Sequence, residues 1–458
     1  MKDAKDATGG IVILGAGPTG LGAAYRLAER KETGFEIFER SGQVGGLATS
    51  FTDPKGWTWD VSGHIIFSGY KYFNDFLGKV LGKDGIRWID RESWIKFEDR
   101  YVRYPFQNHL SSLPEQAMLE CLIGLVESQT IDKDKAFSNF EEWVHVKFGA
   151  GVAKHFMNPY NFKVWATPLA KMGYYWIAER VSVVEWRKAI ETTLVPKSTD
   201  WGPNAKFGYP AHGGTLGLWK GVLPFLGDRV RYHKRVISID ERKREVAFAD
   251  GSTRAYDRLL STMPLDALVA RLVHAPEAVR AAAGKLLFNR LFSVGIGLSR
   301  PSPSDKNWIY FPNLKTPFYR MTYLSNYSPQ IVPGGDTSRY FSVLTETSYS
   351  KFKPLPEGDF GKAVVDGLVA EGILQPADLS KIETVFLIHA GHSYPIPSVD
   401  RNPALDTIHA YLEPLGIFSR GRFGSWKYEI GNQDHSLMQG VELVDRWLDG
   451  SEEKVFRS

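Results

Sequence analysis

The sequence predicts an α/β chain. It reads as a Rossmann-like dinucleotide-binding domain, discontinuous in sequence, with an inserted helical domain and an antiparallel β-sheet domain. Three observations lead there. Residues 11–49 run strand, glycine turn, helix, strand and acid. Residues 113–195 read as helical. Residues 290–347 hold several β-rich runs separated by Pro, Asn and Gly.

The first unit opens with Ile11-Val12-Ile13-Leu14, a short apolar run suited to a buried parallel strand. Gly15-Ala16-Gly17-Pro18-Thr19-Gly20 follows at once. Gly15 allows the tight turn, Gly17 lets backbone approach a pyrophosphate, and Gly20 lets helix and strand pack closely. Pro18 and Thr19 fall at the helix start, where free N–H groups and the dipole favour an anion. Leu21, Ala24, Tyr25 and Ala28 share one helical face. The second strand, Glu36-Ile37-Phe38-Glu39, delivers an acid about 20 residues past the glycines, placed to accept hydrogen bonds from ribose hydroxyls. Arg40 beside it suits the 2′-phosphate of NADP. The second glycine pair, Gly45-Gly46, followed by Leu47-Ala48, instead resembles that of FAD-dependent, amine-oxidase-like flavoproteins.

Composition narrows the class. The chain has 458 residues, enough for about three domains. A net charge of +4 is too mild for a nucleic-acid footprint. Cys121 is the only cysteine, which excludes an internal disulfide and a cysteine-based metal site and fits a reducing compartment. His389 and His392 lack matching carboxylates or cysteines, so no metal site is expected. No apolar run approaches the length of a membrane span. The polar N-terminus resembles neither a signal nor a transit peptide, so cytoplasmic residence is expected. Aromatic residues reach 13%, which suits either a pocket that stacks flat rings or simply large cores.

Further along, His64-Ile65-Ile66-Phe67 reads as a short strand, and residues 86–104 as β-structure with a hairpin turn near Glu98-Asp99. In the helical stretch, Phe140, Trp143, Val144 and Phe148 share a face, Asn158-Pro159 reads as a break, and a second helical run is expected from Lys171 to Leu194. Residues 196–214, rich in Gly, Pro and Asn, read as a long loop. Residues 229–262 return to β-structure, with a turn at Asp250-Gly251 and a buried strand at Leu259–Thr262. Residues 359–372 read as helix, and a last helix is expected from Asp434 to Gly450.

Several longer motifs are far more specific than the glycine turn. They include Gly63-His64-Ile65-Ile66-Phe67-Ser68, Tyr104-Pro105-Phe106-Gln107-Asn108, Pro159-Tyr160-Asn161-Phe162-Lys163-Val164-Trp165-Ala166 and Trp201-Gly202-Pro203-Asn204-Ala205. Pro317-Phe318-Tyr319-Arg320, Ser325-Asn326-Tyr327-Ser328-Pro329 and the run Ser419–Ser436 continue the series. With these motifs the chain resembles the UDP-galactopyranose mutase family, in its eukaryotic-type branch, from about Ile11 to about Asp445.

The resemblance implies a redox-neutral interconversion of UDP-galactopyranose and UDP-galactofuranose. In that family the N5 of reduced FAD attacks the anomeric carbon, UDP leaves, and the sugar ring opens and recloses. NADPH or NADH would reduce the FAD, a UDP-sugar would be the substrate, and a homo-oligomer is compatible with the family. The segments would be 1–80, 201–265 with a flap loop and 411–458 for the FAD-binding domain. Residues 81–104 and 266–410 would form the sheet domain, and 105–200 the helical substrate-binding domain.

The resemblance also implies the site. Arg320 and Arg180 would clamp the diphosphate, for which the planar guanidinium fork is suited. Read from the residues alone, Arg320 in an aromatic strand has the alternative of a buried ion pair, and Arg180 that of a helix-end surface charge. Tyr310, Tyr327, Tyr394 and Tyr428 would line the diphosphate and sugar pocket. Phe156, Gln107, Asn161 and Trp165 would serve the uridine and sugar. Asn204 and Arg180 would ride on flaps that close over substrate. His64 would stand beside the flavin. Gly15, Gly17, Pro18, Thr19, Gly20, Glu39, Arg40, Gly45, Gly46, Leu47, Gly63 and His64 would hold FAD from the N-terminal side. Gly421, Arg422, Gly424, Asn432, Gln433 and Ser436 would hold it from the C-terminal side.

Departures from the family pattern fall at Ser62, Gly69, Lys96, Gly208 and His212. A mutase for another nucleotide sugar, such as UDP-arabinopyranose or a deoxysugar nucleotide, and an amine-oxidase-like FAD oxidoreductase remain the competing readings.

Overall fold

The computed structural model describes residues 10–131, 136–177, 181, 183, 185–195 and 205–458. Ile11–Leu14 is the middle strand of a five-stranded parallel sheet. The order is Ile417–Ser419, Arg258–Ser261, Ile11–Leu14, Phe35–Phe38, Val230–Arg231. Val12 and Leu14 join one core and Ile13 the other, so both faces are covered. That is why the strand reads as an unbroken apolar run rather than an alternation.

The sheet draws on three distant stretches of chain, and two helices bind those stretches together. Helix Pro18–Glu29 lies against helix Gln433–Asp449. A Cβ on Gly440 would stand 2.2 Å from the Thr19 carbonyl oxygen, and one on Gly22 would stand 2.6 Å from that of Leu437. Only glycine permits this approach. The last helix stops at Gly450, whose φ of 74° gives the left-handed cap expected there.

The second layer is a seven-stranded sheet. Its order is Ile382–Pro395, Phe288–Leu298, Phe341–Tyr349, Arg320–Thr322, Trp308–Tyr310, Ser93–Phe97, Arg100–Arg103. All pairings are antiparallel except that of Trp308–Tyr310 with Ser93–Phe97. The hairpin expected near Glu98 is present, with Glu98 at φ 53°. Strand Ile382–Pro395 was not foreseen. Its alternating exposure is that of a sheet edge with one wet face.

The helical insertion differs from expectation at two points. Asn158-Pro159 does not break the helix. A π-type turn, Ala153–Met157, leads directly into helix Asn158–Trp165, with Pro159 in the first turn of that helix. The run from Lys171 to Leu194 is not one helix. Leu169–Lys171 is a short 3-10 turn, and the helix begins at Trp186, capped by the Glu185 carboxylate on the Arg187 and Lys188 amides. Trp176 and Ile177 are buried by tertiary packing, with the Trp176 ring 5.0 Å from that of Trp165. Their apolar spacing therefore reflected core contact rather than helix.

Two β assignments also change. His64–Phe67 forms only an isolated bridge, Ile66 to Gly208. Lys206–Pro210, expected as loop, is a strand paired antiparallel with Ile86–Asp90. Its partner lies more than a hundred residues away, so local composition did not reveal it. Among the described residues no helix is long and apolar enough to cross a membrane.

Candidate active site

The parallel sheet, the seven-stranded sheet and the helical insertion enclose a cavity of about 2360 Å³. Ordinary small-molecule sites measure roughly 300–1,000 Å³, so this one has room for a dinucleotide and a second ligand.

One end is built by both termini of the chain. Gly15, Gly17, Pro18, Thr19, Glu39, Arg40, Gly46 and Leu47 line it, facing Gly421, Arg422, Asn432, Gln433 and Ser436. The first turns of helices Pro18–Glu29 and Gln433–Asp449 both open into the cavity, giving two anion-favouring ends. The Gly45 amide donates to the Ala16 carbonyl at 2.8 Å, and a Cβ on Gly46 would stand 3.3 Å from the Gly17 α-carbon. The two glycine pairs thus form one bare backbone wall. Gly20, Gly45 and Gly424 do not line the cavity. Their α-carbons are pressed against the backbone oxygens of Gly15, Ala48 and Arg420.

Glu39 has a role beyond the one expected. One carboxylate oxygen accepts the Ala16 amide at 2.9 Å, and the other accepts the Ser41 amide and hydroxyl, both at 2.8 Å. The buried acid fixes the glycine turn to the end of the second strand while facing the cavity. Bare glycine walls, two helix N-termini and a buried acid in a cavity this large fit FAD.

The other end is organised by strand register. Tyr310 lies opposite Arg320, and Arg320 lies opposite Glu346, so three strands place these side chains in one row. Arg320 donates from Nε and Nη2 to the two Glu346 oxygens, each at 2.9 Å. Glu346 is fully buried, and burial there requires such a partner. Its carboxylate also accepts the Gly63 amide at 3.0 Å and the Tyr319 hydroxyl at 2.6 Å. Arg320 Nη2 returns a bond to the Gly63 carbonyl at 3.3 Å. The ion-pair alternative for Arg320 is therefore realised, yet Arg320 also lines the cavity. Desolvation is the largest single effect and opposes its charge, but the Glu346 carboxylate together with Tyr319, Tyr394 and Tyr310 holds the Arg320 pKa well above the ordinary value.

Gly63 and His64 line the cavity between these two ends. His64 Nδ1 lies 2.9 Å from the Ser62 carbonyl oxygen. Burial pushes its pKa below the ordinary value, and nearby Arg422 adds to this, while the Asp60 and Glu346 carboxylates oppose it. Near neutral pH the ring is uncharged and Nδ1–H donates to Ser62, which fixes the tautomer.

Tyr310, Tyr394 and Tyr428 line the cavity with Arg320. Arg422 lies over the Tyr394 ring at 4.8 Å and the Tyr428 ring at 5.7 Å, and donates to the Ser393 and Gly431 carbonyls. Tyr327 does not line the cavity. It is 1% exposed, with its ring between those of Phe207 and Tyr209. Trp165 stands behind the tyrosines, its ring 4.7 Å from that of Tyr428.

Phe156 is placed differently from a base-stacking residue. It is sandwiched between Phe106 and Tyr160, both within 8° of parallel, at 4.8 and 5.0 Å. Neither face is open to a planar ligand in this arrangement. Asn161 is satisfied within its own segment, donating to the Met157 carbonyl and accepting from the Trp165 indole. Gln107 is buried, and like Phe156, Asn161 and Trp165 it does not line the cavity. Arg180 and Asn204 lie outside the described residues.

Sequence reasoning missed Glu346, Tyr319, Tyr104 and Asp60. Glu346 had a signal, since an acid inside the apolar run Phe341–Leu344 and Thr345 needs a buried partner. Tyr104 lines the cavity, its ring 5.2 Å from that of Tyr310, and burial raises its pKa so that it stays a neutral donor. Asp60 is fully buried and accepts from the Tyr209 hydroxyl and from the Thr215 amide and hydroxyl. Lys96 does not line the cavity and lies over the Tyr101 ring at 4.7 Å. Among the described residues no group of three or more His, Cys, Asp or Glu could hold a metal ion.

The model of the flavin containing amine oxidoreductase family matches residues 18–370. Among solved structures, reduced UDP-galactopyranose mutase superposes with a TM-score of 0.93 at 38% identity, over 98% of this chain and 96% of that one. A CLA-producing fatty acid isomerase from P. acnes gives a TM-score of 0.65 at 14% identity, over 98% of this chain and 100% of its own. A putrescine oxidase with redesigned cofactor binding gives 0.64 at 14% identity, over 95% and 98%. These last two likenesses show the fold alone. The chain belongs to the flavin containing amine oxidoreductases and, within that fold, to the UDP-galactopyranose mutase family.

Proposed function

We propose that this protein is a flavin-dependent mutase that interconverts UDP-galactopyranose and UDP-galactofuranose without net redox change. The observation that carries this reading is the likeness to reduced UDP-galactopyranose mutase over 98% of the chain at 38% identity. The size of the cavity and the presence of Arg320 in the same cavity as the dinucleotide cradle support it. Reduced FAD, when bound, supplies a nitrogen nucleophile for the anomeric carbon.

The chain's own residues do the rest. Gly17, Gly46, Glu39, Gly421 and the two helix N-termini hold the cofactor. Arg320 directs its cationic edge at the diphosphate, which gains charge as the anomeric bond breaks. Tyr310, Tyr394 and Tyr428 orient the sugar and phosphates by hydroxyl donation, and Tyr104 joins them. His64 acts as a neutral positioning group beside the cofactor. By the resemblance to the mutase family Arg180 and Asn204, both outside the described residues, would add to the same anion site. NADPH or NADH supplies the electrons that make the cofactor active, entering by the substrate cavity.

The test gives pre-reduced, FAD-loaded enzyme UDP-galactofuranose and follows UDP-galactopyranose by chromatography. Conversion without oxygen consumption is expected. Absence of conversion by reduced holoenzyme overturns the assignment. A panel including UDP-arabinopyranose distinguishes a mutase of different sugar preference. Substrate-driven bleaching of oxidised flavin would indicate an amine-oxidase-like oxidoreductase.

A further inference from the structure

Arg320 lines the cavity with its tyrosines and sits opposite Tyr310 in the sheet, yet it is not a bare charge. Two of its three nitrogens are committed to Glu346, through Nε and Nη2 at 2.9 Å each. Nη1 has no hydrogen-bond partner among the described residues. Glu346 is itself immobilised by the Gly63 amide and the Tyr319 hydroxyl. The Tyr319 hydroxyl in turn lies 3.5 Å from that of Tyr394, a cavity residue. The carboxylate is fully buried, so solvent does not screen it. A diphosphate arriving at Arg320 therefore meets an oriented but neutralised ion pair.

We propose that Glu346 is a positioning residue that aims Arg320 Nη1 into the cavity and tempers its charge, so that released UDP remains able to re-form its bond to the sugar. The inference rests on the mutase reading. In that reaction the bond between the anomeric carbon and a phosphate oxygen breaks, with its electron pair leaving on UDP. Later a terminal phosphate oxygen of the retained UDP would return a pair to that carbon, and the cofactor nitrogen that had held the sugar would leave with its own pair. An unneutralised cation would stabilise free UDP more than the transition state in either direction, and binding energy spent on that species slows turnover. Glu346 also fixes the peptide of Gly63, whose amide it accepts and whose carbonyl Arg320 meets. The anion clamp and the turn carrying His64 are therefore held as one unit.

The experiment compares wild type with Glu346→Gln, both FAD-loaded. It measures UDP affinity by calorimetry, turnover of reduced enzyme, FAD content and thermal midpoint. The expected result is UDP bound about tenfold more tightly, with kcat reduced tenfold or more and FAD content unchanged. A purely structural carboxylate predicts a lower midpoint with unchanged UDP affinity, and that result overturns the proposal, as does weaker UDP binding. If the Gln variant fails to load FAD, Glu346→Asp carries the test. It keeps the charge but loses the two-point grip, so UDP affinity should stay within twofold while kcat falls about tenfold; unchanged kcat overturns the proposal. Wild-type protein that does not bind UDP would count against the mutase reading itself, independently of Glu346.

Discussion

Gly421 rests directly on Thr19. A Cβ on Gly421 would stand 2.5 Å from the Thr19 hydroxyl, and Gly421 has a φ of 92°. Its amide is held by the Gln439 side chain at 2.8 Å. Four hundred residues of chain separate the two contacts of one cofactor cradle. Gly421→Ala should therefore strain the junction by about 1–3 kcal/mol. FAD content of purified protein should fall and the thermal midpoint with it. Full FAD occupancy and an unchanged melt would show that the junction is not what holds the cofactor.

Glu39 joins the Ala16 turn to Ser41 and faces the cavity. Glu39→Ala removes three charge-assisted hydrogen bonds at once. Each such bond is worth roughly 1.5–3 kcal/mol, so FAD affinity should drop at least tenfold. Turnover in FAD-saturated enzyme should change much less. An equilibrium titration of apoprotein with FAD measures this, and an unchanged dissociation constant would refute the role.

Arg320→Ala should lower turnover by about 10²–10³, the usual loss for one group that stabilises developing oxyanion charge. It should also destabilise the protein by about 3–5 kcal/mol, because fully buried Glu346 loses its partner. The double variant Arg320→Ala with Glu346→Gln should recover much of that stability but none of the turnover. Denaturant melts and the mutase assay separate the two effects. Normal turnover in the single variant would remove Arg320 from the clamp.

Lys163 is 1% exposed and donates to the Asn313 carbonyl at 2.6 Å and to the Thr316 hydroxyl at 3.3 Å. Burial pulls its pKa down to about 7, with Lys353 adding to the effect and Glu371 opposing it. The unfolded chain keeps the ordinary lysine value, so above pH 7 it binds more protons than the folded protein. The cost of charging the buried amine is fully present below pH 7 and is relieved as pH rises. This contribution grows at up to about 1.4 kcal/mol per pH unit. Between pH 7.5 and 9 wild type should gain about 2 kcal/mol relative to Lys163→Met. Parallel stability profiles for the two proteins would contradict the assignment.

Local segments were the most legible in sequence. The 3.6-residue period of the last helix and the order strand, glycines, helix, strand depend on short-range geometry and appear where expected. The stretch around Trp176 was misread because burial against Trp165 mimics helical spacing. Strand Lys206–Pro210 was misread because its stabilising partner is Ile86–Asp90, which composition cannot point to. Phe156 shows the same limit in the site. Its type suits base stacking, but its neighbours Phe106 and Tyr160 occupy both faces.

By itself the sequence determined the dinucleotide unit and the family, and it named Arg320, Tyr310, Tyr394 and Tyr428, which line the cavity, because these rest on backbone sterics and on side-chain chemistry. Tertiary structure alone decided which groups meet. Strand register sets Arg320 opposite Glu346. Burial then forces the two to pair, since an isolated carboxylate without solvent is far more costly than an ion pair. Helix packing at Gly440 brings the C-terminal segment onto Thr19. Long-range contacts of this kind come from the summed packing of the whole chain, which no single stretch encodes.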